Sequence, residues 1–233
     1  MRLDTVRQLA AALFGGRCYL CRGPADGGQV LCAPCLGDLP RLDGPRCPCC
    51  ALPSPAGVLC GACLTRPPHY DATVAALEYR FPADVLVQGL KYRAELALAP
   101  VLAALLGAVL PADEHVDIAL PVPLSTTRLR KRGYNQAMEI ARRLPGRHRL
   151  APALCERVRE TLAQSELPWA ERVRNLRGAF RCERALDGLT VAVVDDVMTT
   201  GATLDAVAEA LKRAGAARVL NWVVARTLPP TEA

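Results

Sequence analysis

Aromatic residues make up only 4% of this 233-residue chain, and it has just three histidines. A hydrophobic share of 51% still permits a core of ordinary size, built from Ala, Leu and Val rather than from rings. No apolar run is long enough for a membrane span. The longest, Leu96 to Ala112, contains Pro100 and falls short of the roughly 20 residues that cross comfortably, so it reads as a buried helix. Residues 1–16 lack the uninterrupted apolar stretch and cleavage pattern of a secretory leader. No membrane insertion is expected, and a cytoplasmic location is, where thiols stay reduced. His69 and His115 have no partner visible in the sequence and read as incidental surface residues.

What the chain does have is cysteine, eleven residues in all. In a reducing compartment that number calls for metal before disulfides. Cys18-x2-Cys21, Cys32-x2-Cys35, Cys47-Pro-Cys49-Cys50 and Cys60-x2-Cys63 follow one another closely, within a stretch rich in Gly and Pro and poor in large apolar residues. A CxxC turn points two thiolates at one ion, and two such turns complete a tetrahedral Zn²⁺. The simplest pairing is sequential, with Cys18, Cys21, Cys32 and Cys35 on one ion and Cys47, Cys50, Cys60 and Cys63 on the other. A crossed pairing stays open, and Cys49 is left as the spare. Four thiolates close the coordination sphere, so both sites read as structural, and zinc supplies folding free energy on the order of 10 kcal/mol per site.

Charge is unevenly spread. Between Ser125 and Arg184 there are 15 Lys and Arg against 6 Asp and Glu, in a chain whose overall formal charge is +6. That stretch is the expected face for an anion such as a sugar phosphate or a nucleic acid. Within it, Arg128, Arg130, Lys131 and Arg132 crowd into five positions just after the apolar strand Asp117–Leu124. Such mutual repulsion is tolerated where solvent or an anion offsets it.

The most informative stretch is Val191 to Thr203, Val-Ala-Val-Val-Asp195-Asp196-Val-Met-Thr199-Thr200-Gly201-Ala202-Thr203. It reads as a buried parallel strand, a turn of small hydroxyl residues and a glycine, and the start of a helix with Leu204, Val207, Ala208 and Leu211 on one face. Backbone N–H groups of residues 199–203 can hold a phosphate at the helix N-terminus, helped by the hydroxyls of Thr199, Thr200 and Thr203. The adjacent acids suit a sugar diol. This stretch resembles the loop of the type I phosphoribosyltransferases that binds 5-phosphoribosyl-1-pyrophosphate (PRPP), in which the acids take the ribose hydroxyls and the Thr/Gly turn takes the 5′-phosphate. The resemblance implies Asp195, Asp196, Thr199, Thr200, Gly201, Ala202 and Thr203 as the ligand loop, with Mg²⁺ arriving on PRPP. By the same analogy Arg128, Lys131 and Arg132 neutralise pyrophosphate. The long polar segment from Leu150 to Arg181, with Arg157, Gln164, Trp169, Arg172 and Asn175, becomes a covering loop in which Arg172 supplies charge.

Taken in order, the cysteine pairs, Leu90-Lys91-Tyr92, Pro121-Val-Pro-Leu with Arg128 to Gln136, Gln164 to Phe180 and the Asp195-Asp196 loop resemble the ComF family of competence proteins over nearly the whole chain. That resemblance implies an α/β fold, a Rossmann-like and mostly parallel sheet of the type I phosphoribosyltransferases, behind an N-terminal double zinc ribbon. The expected division is an amphipathic helix over residues 1–16, the zinc ribbon over 17–67, the phosphoribosyltransferase-like domain over 68–228 and a disordered tail over 229–233. It also implies a part in DNA uptake, with a DNA-uptake helicase and recombination mediators as partners, while the basic residues with Tyr134 and Trp169 interspersed suit single-stranded DNA. Whether the domain still transfers phosphoribose, and to what acceptor, stays open.

Overall fold

The computed structural model describes residues 16–159, 176 and 178–229. The expected helix over 1–16 and the tail beyond Pro229 lie outside the described residues, as do Gln164, Trp169, Arg172 and Asn175.

The cysteine-rich segment is one small motif used twice. Cys18 to Cys21 forms a knuckle in which Arg22 N–H donates to Cys18 O at 2.9 Å and Cys18 N–H to Gly23 O at 2.8 Å; Cys47 to Cys50 repeats it through Ala51 and Leu52 at the same two distances. Arg22 and Ala51 both sit at positive φ, 64° and 58°. A short ribbon, β1 (Gly16–Arg17) with β2 (Pro24–Ala25), frames the first knuckle. The other two CxxC pairs are not knuckles, as the spacing alone suggests, but helix starts. Cys32 caps α1 (Ala33–Gly37) and Cys60 caps α2 (Gly61–Thr65), where the helix dipole favours a thiolate.

Beyond the cysteines, the chain builds β3 (Ala72–Glu78), α3 (Ala83–Tyr92), α4 (Leu98–Gly107), β4 (Ile118–Pro121), α5 (Thr126–Arg132), α6 (Gln136–Ala141) and β5 (Arg149–Leu150). Then come β6 (Cys155–Arg157), β7 (Phe180–Cys182), β8 (Thr190–Met198), α7 (Ala202–Arg213) and β9 (Arg218–Arg226). The main sheet runs β3-β9-β8-β4-β5, and all its pairings are parallel. The apolar run at Leu96–Ala112 contains the helix α4, Leu98–Gly107, and no helix among the described residues is long and apolar enough to cross a membrane.

Alternation along the strands splits the core in two. On β8, Val191 and Val193 face one layer with α7, the β6–β7 ribbon and the second cysteine unit. Ala192 and Val194 face the other, with α3, α4, α6 and the first cysteine unit. A sheet covered on both faces needs strands that are apolar on both sides, which is why β8 opens on the run Val-Ala-Val-Val and β9 is buried from Val219 to Arg226. The chain joining the two cysteine units covers the edge of β3, where Glu78 N–H donates to Pro40 O at 2.8 Å and Leu42 N–H to Ala76 O at 3.2 Å. An otherwise open sheet edge is thereby closed.

Two expectations need correction. The cationic stretch after β4 is not an irregular turn but the helix α5, started by Ser125 Oγ accepting from Arg128 N–H and stopped by Gly133 at φ 81°. Three of its cations fall in the last turn, where the macrodipole offsets their repulsion. The Leu150–Arg181 stretch is not loop throughout, since its two ends pair as the antiparallel ribbon β6–β7.

Candidate functional site

The order of the strands locates the site. From β4 the chain proceeds outward to β5, and from β8 it turns the other way to β9, so connections diverge between β4 and β8. Crevices at the carboxyl ends of such diverging strands are where open α/β sheets bind ligands. β4 stops at Pro121, opposite Val194, whereas β8 runs on beside β9 to Met198. Asp195 and Asp196 therefore lie within the strand, not past its end, on the length of β8 that outruns β4.

These two carboxylates have different environments. Asp196 is 2% exposed. Lys91 Nζ, from the last turn of α3, lies 3.1 Å from its Oδ2 and 3.3 Å from its Oδ1. Val197 N–H also donates to Oδ1, at 2.9 Å. Burial opposes ionisation of Asp196, yet the Lys91 ammonium and these hydrogen bonds hold its carboxyl below the usual range. Burial, and then the charge of Asp196, push Asp195 well above it. The pair is therefore split, one acid ionised against lysine and its neighbour resisting charge. Asp196 Oδ2 is buried, with the Lys91 ammonium 3.1 Å away but no hydrogen bond of good geometry, so it keeps acceptor capacity. A hydroxyl or a hard cation would satisfy it.

In the sequence Lys91 stands out only within the Leu90-Lys91-Tyr92 motif. In three dimensions its segment is a hub. Tyr134 Oη donates to Leu90 O, and the Arg132 guanidinium sits 5.6 Å from the Tyr92 ring centroid while donating to Gln136 Oε1. Asn135 caps α6 through Ala137 N–H at 3.0 Å and donates to Val122 O at 2.9 Å. The Leu90-Lys91-Tyr92 and Arg132-to-Gln136 motifs thus meet each other beside the acids. Among the expected anion ligands, Arg132 is held in this cluster, Arg128 is half-buried, and Lys131 is exposed.

The turn after β8 leads directly into α7. Gly201 caps α7 at φ 82°. A Cβ there would fall 2.7 Å from Met198 Cε and 3.0 Å from Tyr70 Oη. Thr200 Oγ1 accepts from Ala202 N–H at 3.3 Å. Two supports were not visible in the sequence. His69 is no bystander, because its backbone N–H and its Nδ1 lie 2.6 Å and 3.0 Å from Asp205 Oδ1 in the first turn of α7. His115 likewise pairs with Asp117 Oδ1 at 2.9 Å, at the other end of the sheet. The second support is Arg226, 3% exposed at the end of β9. It donates to Met198 O at 2.9 Å, to Thr199 O, to Thr227 O at 2.8 Å and, through Nε, to Cys50 O at 2.9 Å. One buried guanidinium thus grips both the turn after β8 and the second cysteine knuckle.

The cysteines gather as the sequential pairing expects. Cys18, Cys21, Cys32 and Cys35 form one group and Cys47, Cys50, Cys60 and Cys63 another, with the sulfurs of each within 4.8 Å of one another. Tetrahedral Zn–S bonds of about 2.3 Å place sulfurs about 3.8 Å apart; Cys21 and Cys32 are at 3.7 Å, and Cys50 and Cys60 at 3.6 Å. Burial works against the Cys18 thiolate, but backbone N–H groups of Cys21, Cys32 and Leu20 outweigh it and leave its pKa at about 6. Cys47 is lowered to about 7 in the same way. The donor sets fit two structural zinc ions. Cys49 stands aside, its thiol 3.8 Å from Tyr70 O.

A parallel α/β sheet with this crevice, reached through two four-cysteine units, defines a phosphoribosyltransferase-type domain joined to zinc ribbons. Comparison with known families agrees: residues 9–64 match the double zinc ribbon domain and residues 99–228 the phosphoribosyl transferase domain. The chain is 38% identical over 225 residues to the DNA utilization protein YhgH of Salmonella typhimurium, covering 91% of this chain and 98% of that relative. It is 33% identical over 227 residues to competence protein F of Haemophilus influenzae, with the same coverage. To competence protein ComFC of Bacillus subtilis it is 27% identical over 212 residues, covering 85% of each. The chain belongs to the ComF family.

Proposed function

We propose that the crevice between β4 and β8 binds PRPP or a related ribose phosphate with Mg²⁺, and that the protein serves DNA uptake or utilisation, as the names of its relatives suggest. The observation that carries the ligand reading is the Asp195–Asp196 pair beside Lys91, directly ahead of the Gly201 turn. Asp195 and Asp196 take the ribose hydroxyls, and Asp196 Oδ2, ion-paired with Lys91 but accepting no hydrogen bond, receives one of them. The N–H groups of Thr199, Thr200, Gly201, Ala202 and Thr203 take the 5′-phosphate. Mg²⁺ is held mainly by ligand oxygens and water, since no carboxylate cage surrounds the crevice among the described residues. Arg128, Lys131 and Arg132 face the pyrophosphate, with Arg172 as a further cation.

Single-stranded DNA is the proposed macromolecular ligand, bound through the basic stretch, with Tyr134 and Trp169 among the stacking residues. A DNA-uptake helicase and recombination mediators are the expected protein partners, and the cytoplasm the expected place of action. Active transfer of phosphoribose to an acceptor is the second reading, favoured by the completeness of the loop. In that case the cations of α5 stabilise the departing pyrophosphate, and pyrophosphate release from PRPP would report it.

The two ligands separate in one experiment. Changing Asp195→Asn together with Asp196→Asn should abolish PRPP binding while single-stranded DNA still binds near the wild-type level by fluorescence anisotropy. Equal loss of both would overturn the two-ligand reading.

A further inference from the structure

Besides the zinc groups and Cys49, the chain has two more free cysteines, Cys155 and Cys182. They are register partners in the antiparallel β6–β7 ribbon. The ladder fixes the kind of pairing. Val158 N–H donates to Ala179 O at 2.9 Å, in continuation of the register that pairs Arg157 with Phe180, Glu156 with Arg181 and Cys155 with Cys182. Hydrogen-bonded and non-hydrogen-bonded pairs alternate along such a ribbon. Counting back from the bonded Val158–Ala179 step, Arg157–Phe180 is non-bonded, Glu156–Arg181 bonded and Cys155–Cys182 non-bonded.

That position matters. Non-bonded partners have Cα atoms about 4.5 Å apart and side chains at their closest, on one face of the ribbon. A disulfide needs about 4.4–6.8 Å between Cα atoms. Both thiols do rest on one surface, Cys155 buried in the core layer that holds α7 and Cys182 packed half-exposed against it. At present each has only a long contact to a nearby carbonyl, Cys155 Sγ to Glu156 O at 3.9 Å and Cys182 Sγ to Arg184 O at 3.6 Å, which a side-chain rotation exchanges for the other sulfur. Burial, and then the negative charge of a neighbouring Cys182 thiolate, push the Cys155 thiol up to about 12. The reduced form therefore gains no stability there from a thiolate, unlike the low-pKa thiols of strongly oxidising pairs.

We propose that Cys155 and Cys182 are a modification site, a dithiol that closes to a cross-strand disulfide in exchange with a small-molecule disulfide of the glutathione type. The more accessible Cys182 attacks first. Its thiolate displaces one small thiolate and forms a mixed disulfide, its proton going to water. Cys155, losing its proton in turn, attacks the Cys182 sulfur and expels the second small thiolate. Two protein thiols are oxidised by two electrons, and one small disulfide is reduced to two thiols. The ribbon packs against α7, the helix that follows the Thr199–Gly201 turn, so the closed pair ties β6 to β7 beside that helix.

The test equilibrates the full-length zinc-loaded protein with graded mixtures of reduced and oxidised glutathione, quenches by alkylation and maps the digest by mass spectrometry. The expected result is a peptide joining Cys155 to Cys182, two fewer alkylated thiols, unchanged zinc content and full reversal by reductant. Cys155→Ser should stop at a glutathione adduct on Cys182, and Cys182→Ser should leave Cys155 unmodified. If Cys155→Ser does not fold, the wild-type map decides alone. Separate alkylation of both cysteines at every ratio, or linkage of either to Cys49 or to a zinc-group cysteine, would overturn the proposal.

Discussion

Lys91 Nζ lies 3.1 Å from Asp196 Oδ2, joining the last turn of α3 to the strand that supplies both acids. The lysine side chain is 26% exposed and the aspartate 3%. Removing the lysine leaves a buried carboxylate without its cation, which costs about 3 kcal/mol when one partner of a buried pair is deleted. Lys91→Met should lower the urea midpoint accordingly, and Lys91→Met with Asp196→Asn should recover most of the loss. Additive effects in that double-mutant cycle would contradict the pairing.

The same geometry sets a pH dependence with opposite signs at adjacent residues. Asp196, depressed by Lys91 against its burial, contributes stability that is present above the ordinary aspartate pKa of about 3.9 and is lost as pH falls through its lower folded value. Asp195, raised by burial and by the charge of Asp196, contributes in the other sense, its stability complete below about pH 3.9 and lost as pH rises through the folded value. Asp195→Asn should therefore stabilise the ligand-free protein at pH 7, and the gain should shrink as pH falls toward 4. A gain independent of pH would remove the split-pair description.

Gly201 is required twice, by its φ of 82° and by the lack of room for a Cβ beside Met198 and Tyr70. A left-handed conformation costs an L-residue about 1–2 kcal/mol. Gly201→Ala should destabilise by at least that amount in urea unfolding and weaken ribose-phosphate binding. An unchanged midpoint would mean the turn relaxes freely.

Metal analysis should find about two zinc ions per chain. Because Arg226 holds Cys50 O together with Met198 O and Thr199 O, stripping the second site should also loosen the phosphate turn. Hydrogen exchange at residues 198–201 should then rise on chelation. In Arg226→Met, exchange there should already be fast and respond little to chelator. Exchange that ignores zinc in the wild type would show that the two are mechanically separate.

Much of this was readable in sequence because it is local. The Val191–Thr203 stretch is a strand, turn and helix start in that order, and the sequential grouping of Cys18 to Cys35 and Cys47 to Cys63 is the simplest reading of their spacing. What could not be read was set by long-range contact. Lys91 meets Asp196 from a distant element, and Arg226 looks like the polar end of an apolar strand until the fold buries it among four carbonyls. His69 gains its partner Asp205 only when the chain leaving the zinc ribbon docks on α7. Helical structure in α5 was hidden because a seven-residue segment whose one large apolar side chain is Leu129 has no apolar face to reveal a period.

Arg128→Ala with Lys131→Ala should weaken pyrophosphate and PRPP binding at least tenfold while the protein stays folded in urea titration, since α5 has no fully buried residues. An unchanged affinity would make α5 a solvated helix with no ligand role.

The central claim is that the crevice between β4 and β8 binds a phosphorylated ribose. Calorimetric titration of the zinc-loaded protein with PRPP, with and without Mg²⁺, tests it most directly. The account predicts saturable binding at one site per chain, strengthened by Mg²⁺ and lost in Asp195→Asn with Asp196→Asn. Absence of binding heat in the presence of Mg²⁺ at several temperatures, or binding that survives loss of both carboxylates, would contradict it.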